Sequence, residues 1–484
     1  MCEPVHIRFG ALAPVPSFGV GPRLAAALCG AAIAGSWTGF PTGRVGFVVA
    51  LGIVGFAGSV VSGPAPRPLR RRAAAVLVLA LFFAVSDASA RAGAGLSPPQ
   101  RGDVDTIVTV VADPERRGRG VVAEVRLDRH RYEVWAFGRA ANVLAAAMVG
   151  EQVGIIGRVA PFTEDWNGYV ARHLVGRVSA EVVWRTRRGS GWWWATTNAT
   201  RRHLADGADH LSATERGLLL GFTVGDDREL SPEVVGQFRA SGLSHLTAVS
   251  GQNVVLILGL ATPLLSRRSR VVRVSALIVV LLWFGALTRW EPSVIRAIAM
   301  AGVSVVSPVP AGRGPRLALL GLVVSGLILI DPLMIWSVGF RLSVAATAGL
   351  VVFADRIARW LPGPDTIVQP ISVTAAAQIG VAPVQLATFG PMPLAALPAN
   401  VAAGPVAGPL MVWGATVGLI AGWMPDGVAV AMHLPTRLMT GWVAYVARSG
   451  ASSGLPKVGF PAFVAVVSVI VIWRMLRRGV PPSG

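Results

Sequence analysis

The sequence predicts a polytopic α-helical membrane protein, with about 10–12 transmembrane helices and one small all-β domain inserted outside the membrane. Hydrophobic residues make up 53% of the 484 residues and charged residues only 14%, whereas soluble domains are about a quarter charged. Long apolar runs, such as residues 45–61 and 463–473, are typical of membrane helices. Between residues 103 and 184 the apolar residues instead recur at every second position, which is typical of β-strands.

About twelve apolar segments are candidate membrane spans. Those near residues 293 and 427 are the weakest, because each contains an arginine and a proline, and either could be a re-entrant or interfacial helix. The candidate spans are residues 24–40, 43–62, 73–88, 243–265, 274–290, 293–310, 317–335, 336–353, 368–388, 394–421, 427–446 and 458–473.

The distribution of arginine predicts the orientation, because positively charged loops stay in the cytoplasm. Short loops on one side are rich in arginine, whereas those on the other side hold only Arg44, Arg289, Arg448 and Lys457 as basic residues. Both termini are therefore expected in the cytoplasm, and the long insertion at residues 91–241 outside. Most of the net charge of +19 reflects this topology and does not by itself indicate a nucleic-acid partner.

Composition and pattern divide the chain into five regions. They are amino-terminal transmembrane helices (1–90), a β domain outside the cytoplasm (103–188), interfacial amphipathic helices (189–241), a transmembrane core (242–476) and a cytoplasmic tail (477–484).

The β domain is predicted to be an OB-type barrel, because five short strands separated by turns fall within about 80 residues. Gly150, Gly154 and Gly157 suit its bends and bulges. Such barrels bind single-stranded nucleic acid through aromatic side chains in a basic groove. Tyr132, Trp135 and Trp166 are candidate base contacts, but the domain is nearly neutral, which favours a structural role for most of its aromatic residues.

Three consecutive tryptophans, Trp192 to Trp194, precede Arg201 and Arg202 in the next region. Indole rings concentrate at the membrane interface, and arginines pair with lipid headgroups there. The pattern favours a helix that anchors this region to the membrane.

The segment "GLSHLTAVSGQNV", residues 242–254, contains many polar residues at the start of a predicted span. Ser244, His245, Ser250, Gln252 and Asn253 would point to several faces of a continuous helix, so the helix cannot face lipid there. The segment is either surrounded by protein or broken near Ser250, with polar groups lining a wet cavity. The serines have a structural alternative, because small residues also allow membrane helices to pack closely.

Four more polar residues lie within predicted spans. Arg296 follows "EPSV", Arg341 lies in "GFRLS", Gln378 precedes a proline by five positions, and Asn400 lies among glycines and prolines. Buried arginines are costly and usually face a cavity or a partner. Contact with an anionic substrate and pairing with Glu291 are both open for Arg296.

The sequence gives little indication of metal binding or redox chemistry. The two cysteines, Cys2 and Cys29, fit neither a disulfide framework nor a zinc site. We predict no metal, no cofactor and no catalytic residue, so the protein is not expected to be an enzyme.

These motifs together resemble the ComEC family of competence proteins, inner-membrane channels that admit single-stranded DNA during natural transformation. The resemblance covers residues 210–473. It is carried by residues 211–257, with Gly221, Asp226 and Pro232, and by "EPSVIRA", "GFRLSVAATAG", "AAQIGVAPVQLATFG" and "LPAN". It implies that the DNA pathway is lined by Ser244, His245, Ser250, Gln252, Asn253, Arg296, Arg341, Gln378 and Asn400.

The chain departs from the family pattern at several points. Many members have histidine in place of Asn253 and glutamine in place of Arg341, and some have a disulfide in the outer domain. Many also carry a carboxy-terminal metallo-β-lactamase-like domain, whereas this chain ends at Gly484 without an H-x-H-x-D-H arrangement. We therefore expect no intrinsic nuclease.

The resemblance implies several partners for the protein. Besides single-stranded DNA and membrane lipid, these are a DNA receptor outside, a separate nuclease, a cytoplasmic translocation ATPase and, in a homo-oligomer, further copies of the chain.

Two other functions are open from the sequence alone. A secondary transporter of a small anionic solute also uses broken helices and buried arginines. A membrane hydrolase would pair Ser250 with His245, but a spacing of five separates them by about 140° on a continuous helix, and no third group orients the histidine.

Overall fold

The computed structural model describes residues 21–38, 53–54, 66–97, 99–162, 166–186, 191–247, 249–306 and 312–459. The chain divides into two compact units, residues 1–93 with 299–332 and residues 94–298 with 333–484.

The elements follow the order that the sequence pattern predicts, with helices before and after a group of strands. The amino-terminal helices and the elements of the barrel are α1 (Pro22–Thr38), α2 (Arg67–Ala94), β1 (Gly102–Arg117), β2 (Gly120–Leu127), β3 (His130–Phe137), α3 (Gly138–Ala145), β4 (Gln152–Pro161), α4 (Trp166–Val170) and β5 (Leu174–Arg185). Four helices follow, α5 (Trp192–Asp206), α6 (Ala213–Val224), α7 (Pro232–Ala240) and α8 (Ser244–Thr247). The remaining elements are α9 (Gly251–Leu264), α10 (Arg270–Leu287), α11 (Pro292–Val306), α12 (Arg313–Ile330), α13 (Val338–Ala358), α14 (Asp365–Phe389), β6 (Met392–Pro393), α15 (Ala396–Trp413), α16 (Leu419–Ala421), α17 (Asp426–Met432), α18 (Leu434–Ser452) and β7 (Lys457–Val458).

Strands β1 to β5 form a closed barrel in the order β1-β2-β3-β5-β4, with β4 paired back to β1. Only the β3–β5 pair is parallel. Inward-facing β-branched residues, such as Val110, Val134 and Ile155, are fully buried and fill the barrel, as period-two alternation requires. The β4–β5 register shifts between Ile156 and Gly157 because Glu181 is an extra residue on β5, and at Gly157 any side chain would overlap the carbonyl oxygen of Ser179. All five predicted strands are confirmed.

In the first unit, small residues bring three helices close together. A Cβ on Gly321 of α12 would lie 2.9 Å from the carbonyl oxygen of Ala25 in α1, and a Cβ on Gly35 of α1 would lie 2.6 Å from that of Phe82 in α2. The hydroxyl of Ser36 donates to the carbonyl of Pro332 at 2.6 Å. This is the close packing that small residues permit between membrane helices.

In the second unit, α6 and α7 pack with α15 and α18 around one hydrophobic cluster. Its fully buried members include Leu218 of α6, Phe238 of α7, Leu410 of α15 and Val443 of α18. The cluster holds the end of α6 and the start of α15 in place, and both of these contact the segment at residues 242–253.

Helices α13 and α14 form an antiparallel hairpin in which two glycines face each other. A Cβ on Gly349 would lie 2.7 Å from the Cα of Gly380, and it would overlap the carbonyl oxygen of Ala376. The two backbones therefore touch without intervening side chains.

Six described helices are long and apolar enough to cross a membrane, which confirms a polytopic helical membrane protein. They comprise α10, α12, α13, α14, residues 68–94 and residues 396–421, and two shorter apolar helices are α9 and α11. The segment predicted to span at 427–446 is instead divided at His433 into α17 and α18, and it is not among the six. The predicted spans at 43–62 and 458–473 lie almost wholly outside the described residues.

Candidate functional site: the broken helix at residues 242–253

The predicted span at residues 243–265 is interrupted near its start. Helix α8 ends at Thr247, and α9 begins at Gly251 after Ser250, whose backbone is extended with φ −107° and ψ 167°. Gly242 starts the segment with φ +74°, and a side chain there would overlap Ala396 of α15. Of the two alternatives that the sequence left open, the broken helix is the one observed.

Hydrogen bonds between side chains and backbone carbonyls join the break to α6 and α11. The hydroxyl of Ser293 in α11 donates to the carbonyl of Val249 at 2.9 Å. Asn253, which is only 9% exposed, donates from Nδ2 to the carbonyl of Phe222 in α6 at 2.9 Å. These bonds satisfy one carbonyl at the break and one in the last turn of α6, which have no intrahelical partners.

Asn400 supports the same segment from α15. Its Nδ2 donates to the carbonyl of Ala396 at 2.7 Å and to that of Gly242 at 3.3 Å. The structure thus brings Asn253 and Asn400 to opposite ends of one short segment, where each hydrogen bonds to backbone.

Arg296 of α11 is the charged group at the break. It is 6% exposed, and its Nε donates to the hydroxyl of Ser343 in α13 at 2.8 Å. A Cβ on Gly251 would lie 3.0 Å from Nη2 of Arg296, so the guanidinium lies against the first residue of α9. Because helix amino termini carry partial positive charge, the starts of α9 and α11 and this arginine together form an electropositive centre.

The other predicted residues of the segment lie nearer the surface. Ser244, His245 and Gln252 are exposed. The Oγ of Ser250 is 3.4 Å from Oδ1 of Asn253, and within the described residues no hydrogen bond joins Ser250 to His245. The geometry therefore does not support a Ser–His hydrolase.

Arg341 and Gln378 lie on the α13–α14 hairpin. In the described part of the chain, Nε of Arg341 and Nε2 of Gln378 are buried without a hydrogen-bond partner. Since Gly349 faces Gly380, Arg341 and Gln378 are separated by about 15 Å along the hairpin. One ligand group cannot contact both.

The barrel has an aromatic surface that includes only part of the predicted set. Trp135 stacks on Phe137 with 6.3 Å between ring centroids, and the guanidinium of Arg177 lies 5.3 Å from the Trp135 ring. Tyr132 is only 9% exposed and lies in the barrel core, since it alternates with Trp135 along β3; the prediction of a base contact there is wrong. The side chain of Trp166 lies outside the described residues.

Sequence reasoning missed the two charged residues, Arg177 and Glu133, that complete this aromatic surface. Phe162 stacks on Tyr169 with centroids 3.6 Å apart, and Arg177 also lies 5.9 Å from Phe162. Glu133, buried beneath, accepts from Trp135 Nε1 at 2.6 Å and pairs with Arg177 at 3.2 Å. The available signal was the alternation of Glu133, Trp135 and Phe137 on one strand face.

Among the described residues, no three histidine, cysteine or acidic side chains lie close enough to hold a metal ion. The fold and the site define a multi-pass helical membrane protein with a polar interruption in one of its core helices. The chain belongs to the ComEC family of competence proteins, because the family model described as Competence protein matches residues 222–479, more than half of the 484 residues.

A relative is known in Bacillus subtilis (strain 168). The protein named ComE operon protein 3 is 26% identical over 247 residues, which cover 50% of this chain and 31% of the relative. The chain thus matches about a third of the length of this curated relative. No solved structure is significantly similar to the chain.

Proposed function

We propose that this protein is a channel that imports single-stranded DNA across the cytoplasmic membrane during natural transformation. Family membership supports a role in competence. The observation that carries the proposal is Arg296, a buried cation placed where α9 and α11 begin. A polyanion is attracted to such a centre, and the exposed Ser244, His245 and Gln252 nearby offer hydrogen bonds to a hydrated strand.

The proposed orientation places this centre at the outer surface of the membrane, with both termini in the cytoplasm. Arginine-rich short loops support that orientation. A strand would then meet the barrel first, the broken helix next and the α13–α14 hairpin, with Arg341 and Gln378, after that.

We propose an OB-type barrel for the outer domain. Its support is the closed strand order β1-β2-β3-β5-β4, with helix α3 between β3 and β4. Phe137 is 57% exposed and stacks on Trp135, so these rings offer a platform for unpaired bases. Glu133 neutralises Arg177, which favours stacking over phosphate attraction at this surface.

Transformation frequency in an in-frame deletion strain, with and without the gene restored on a plasmid, tests the proposed function. Loss and rescue of transformation support DNA import. Normal transformation of the deletion strain in a competent host contradicts it and favours the second candidate, a secondary transporter of a small anionic solute, which the broken helix also suits.

We also propose that this chain passes the strand without cutting it. The polar side chains at the break hydrogen bond to backbone and to one another, and among the described residues of this segment no nucleophile is hydrogen bonded to a base. Purified protein incubated with linear duplex DNA and Mg²⁺, Mn²⁺ or Zn²⁺ is expected to leave the DNA intact. Degradation that persists across independent purifications contradicts this proposal.

A receptor, a nuclease and a cytoplasmic ATPase remain proposed partners, as does a homo-oligomer.

A further inference from the structure

A cluster of five buried or half-buried charges lies where the barrel meets the helices of the second unit. We call Asp113, Arg201, Asp226, Arg228 and Arg289 the ion cluster. Arg201 of α5 is at its centre and is only 3% exposed. Its Nη2 lies 2.8 Å from the carboxylate of Asp226 and 3.2 Å from that of Asp113 in β1.

The other terminal nitrogen of Arg201 joins two helix ends. Its Nη1 donates to the carbonyl of Val224 at the end of α6 and to that of Leu287 at the end of α10, each at 2.8 Å. One guanidinium therefore connects a barrel strand with three helices.

Arg289 makes a second connection between barrel and helices. Its Nε donates to Asp113 at 2.7 Å and its Nη2 to Oδ1 of Asn198 in α5 at 2.8 Å. Asn198 in turn donates to the carbonyl of Val149 in the barrel at 3.0 Å. The backbone of Arg289 has φ +60°, a conformation that is costly for a side-chain-bearing residue and persists only when its surroundings hold it.

The carboxyls in the ion cluster are held in their charged form. Burial alone would raise the pKa of Asp113, but the guanidiniums of Arg201 and Arg289 lower it below its usual value. Burial opposes ionisation of Asp226 too, yet the paired guanidiniums of Arg228 and Arg201 lower its pKa. Removing one partner from such a set leaves an uncompensated buried charge.

Both arms of the ion cluster end at residues that hold the broken helix. Val224, bound by Arg201, is two residues from Phe222, whose carbonyl accepts from Asn253. Arg289 is four residues before Ser293, whose hydroxyl donates to Val249. The position of the barrel is thereby linked to the geometry of the break through two short paths.

We propose that Arg201 and Arg289 are positioning residues that fix the barrel against the broken helix, so that both act as one entrance for the strand. A barrel tethered only by its connecting segments would not need a buried ionic contact, because burial of charge is costly and favours a defined geometry over stability. Only the uptake experiment below depends on the proposed function; the distance measurement tests the position of the barrel independently of it.

Pulsed electron paramagnetic resonance tests the positioning directly. Cys2 and Cys29 are replaced by serine, and spin labels are attached at the exposed positions Arg126 in the barrel and Glu233 in α7. We expect a narrow distance distribution in the parent protein and a clearly broader one in Asp113→Asn. An unchanged distribution in folded Asp113→Asn overturns the proposal.

Two further variants make the result specific. Arg202→Gln is the matched control, because Arg202 lies beside Arg201 and pairs with Glu151 of the barrel at 3.2 Å but on the surface, 51% exposed; its distribution should match the parent. The double variant Asp113→Asn with Arg289→Gln removes one charge of each sign, so it retains the net charge of the ion cluster. It is expected to fold and to show the broader distribution even if the single variant does not accumulate.

Uptake gives the second readout. Transformation is expected to fall at least tenfold in Asp113→Asn and to stay within twofold of the parent in Arg202→Gln. If the deletion strain itself transforms normally, the proposed function fails, and the distance distributions still decide whether the ion cluster positions the barrel.

Discussion

Replacing Arg296 by methionine is expected to reduce DNA uptake far more than it reduces stability. Methionine keeps much of the length of the side chain, and the change removes the charge and the 2.8 Å hydrogen bond to Ser343. Losing a hydrogen bond from a charged donor costs about 1.5–3 kcal/mol. The variant also no longer buries a cation, which relieves a desolvation penalty of several kcal/mol. The two effects offset each other, so the free energy of unfolding should change by about 1 kcal/mol or less.

The loss of charge also weakens the attraction of a bound phosphate, and no gain in free energy compensates for that loss. For a phosphate about 5 Å from the guanidinium at an effective dielectric constant of about 20, the lost attraction is about 3 kcal/mol. That corresponds to about a hundredfold weaker contact with the strand. We expect uptake to fall by one to two orders of magnitude.

The assay is uptake of labelled single-stranded DNA in cells whose membrane protein level is measured in parallel. Arg296→Lys keeps the charge and should retain most uptake, whereas Ser343→Ala should lose less than Arg296→Met. Arg356→Met, near the far end of α13, is the matched control, because Nη1 of Arg356 donates to the carbonyl of Val352 in its own helix. Uptake by Arg296→Met at the parent rate, or a loss that merely follows protein level, would refute the reasoning.

Three further changes have defined outcomes. Asn253→Ala leaves the buried carbonyl of Phe222 without its donor and should lower stability in detergent by about 1–3 kcal/mol, measured by thermal unfolding. Gly349→Ala should destabilise the hairpin by at least about 1–3 kcal/mol in the same measurement, because its Cβ has no room, while Gly404→Ala, with open space around it, should not. Burial, reinforced by Asp227, raises the pKa of Glu291 from 4.5 to about 7; the folded protein then binds more protons than the unfolded chain between these values. Stability should therefore fall as pH rises through that window, by up to about 3 kcal/mol, and Glu291→Gln should remove this dependence.

The strands of the barrel could be predicted, and the break could be given as one of two alternatives, because their signals are local. Strand alternation between residues 103 and 184 depends only on which side chains face inward, and the pattern fixed all five strands. Likewise, polarity on every face of residues 244–253 is incompatible with a continuous helix in lipid. Neither inference needs knowledge of distant contacts.

The ion cluster could not be predicted, because its partners are far apart in sequence. Asp113 and Arg289 are 176 positions apart, and no local pattern distinguishes them from surface charges. Arg201 and Arg202 look alike in the sequence, yet one is buried among carboxylates and the other is half exposed. The sequence interpretation placed both on one helix in the headgroup region and did not distinguish them.

The contact between Gly349 and Gly380 has a mechanical consequence. Two helices joined backbone to backbone cannot slide or separate without losing that contact, so α13 and α14 behave as one stiff lever. Bending must then be confined to the ends of the lever. At the open end of the hairpin, α14 is followed by Gly390, whose φ of +79° and ψ of −153° only glycine adopts readily. At the same open end α13 begins after Ser337, whose hydroxyl accepts from the amide of Phe340 and caps the first turn of α13. Because the two helices are joined as one rigid unit, we expect any movement about this end to carry Ser343 with it and so to change its hydrogen bond to Arg296.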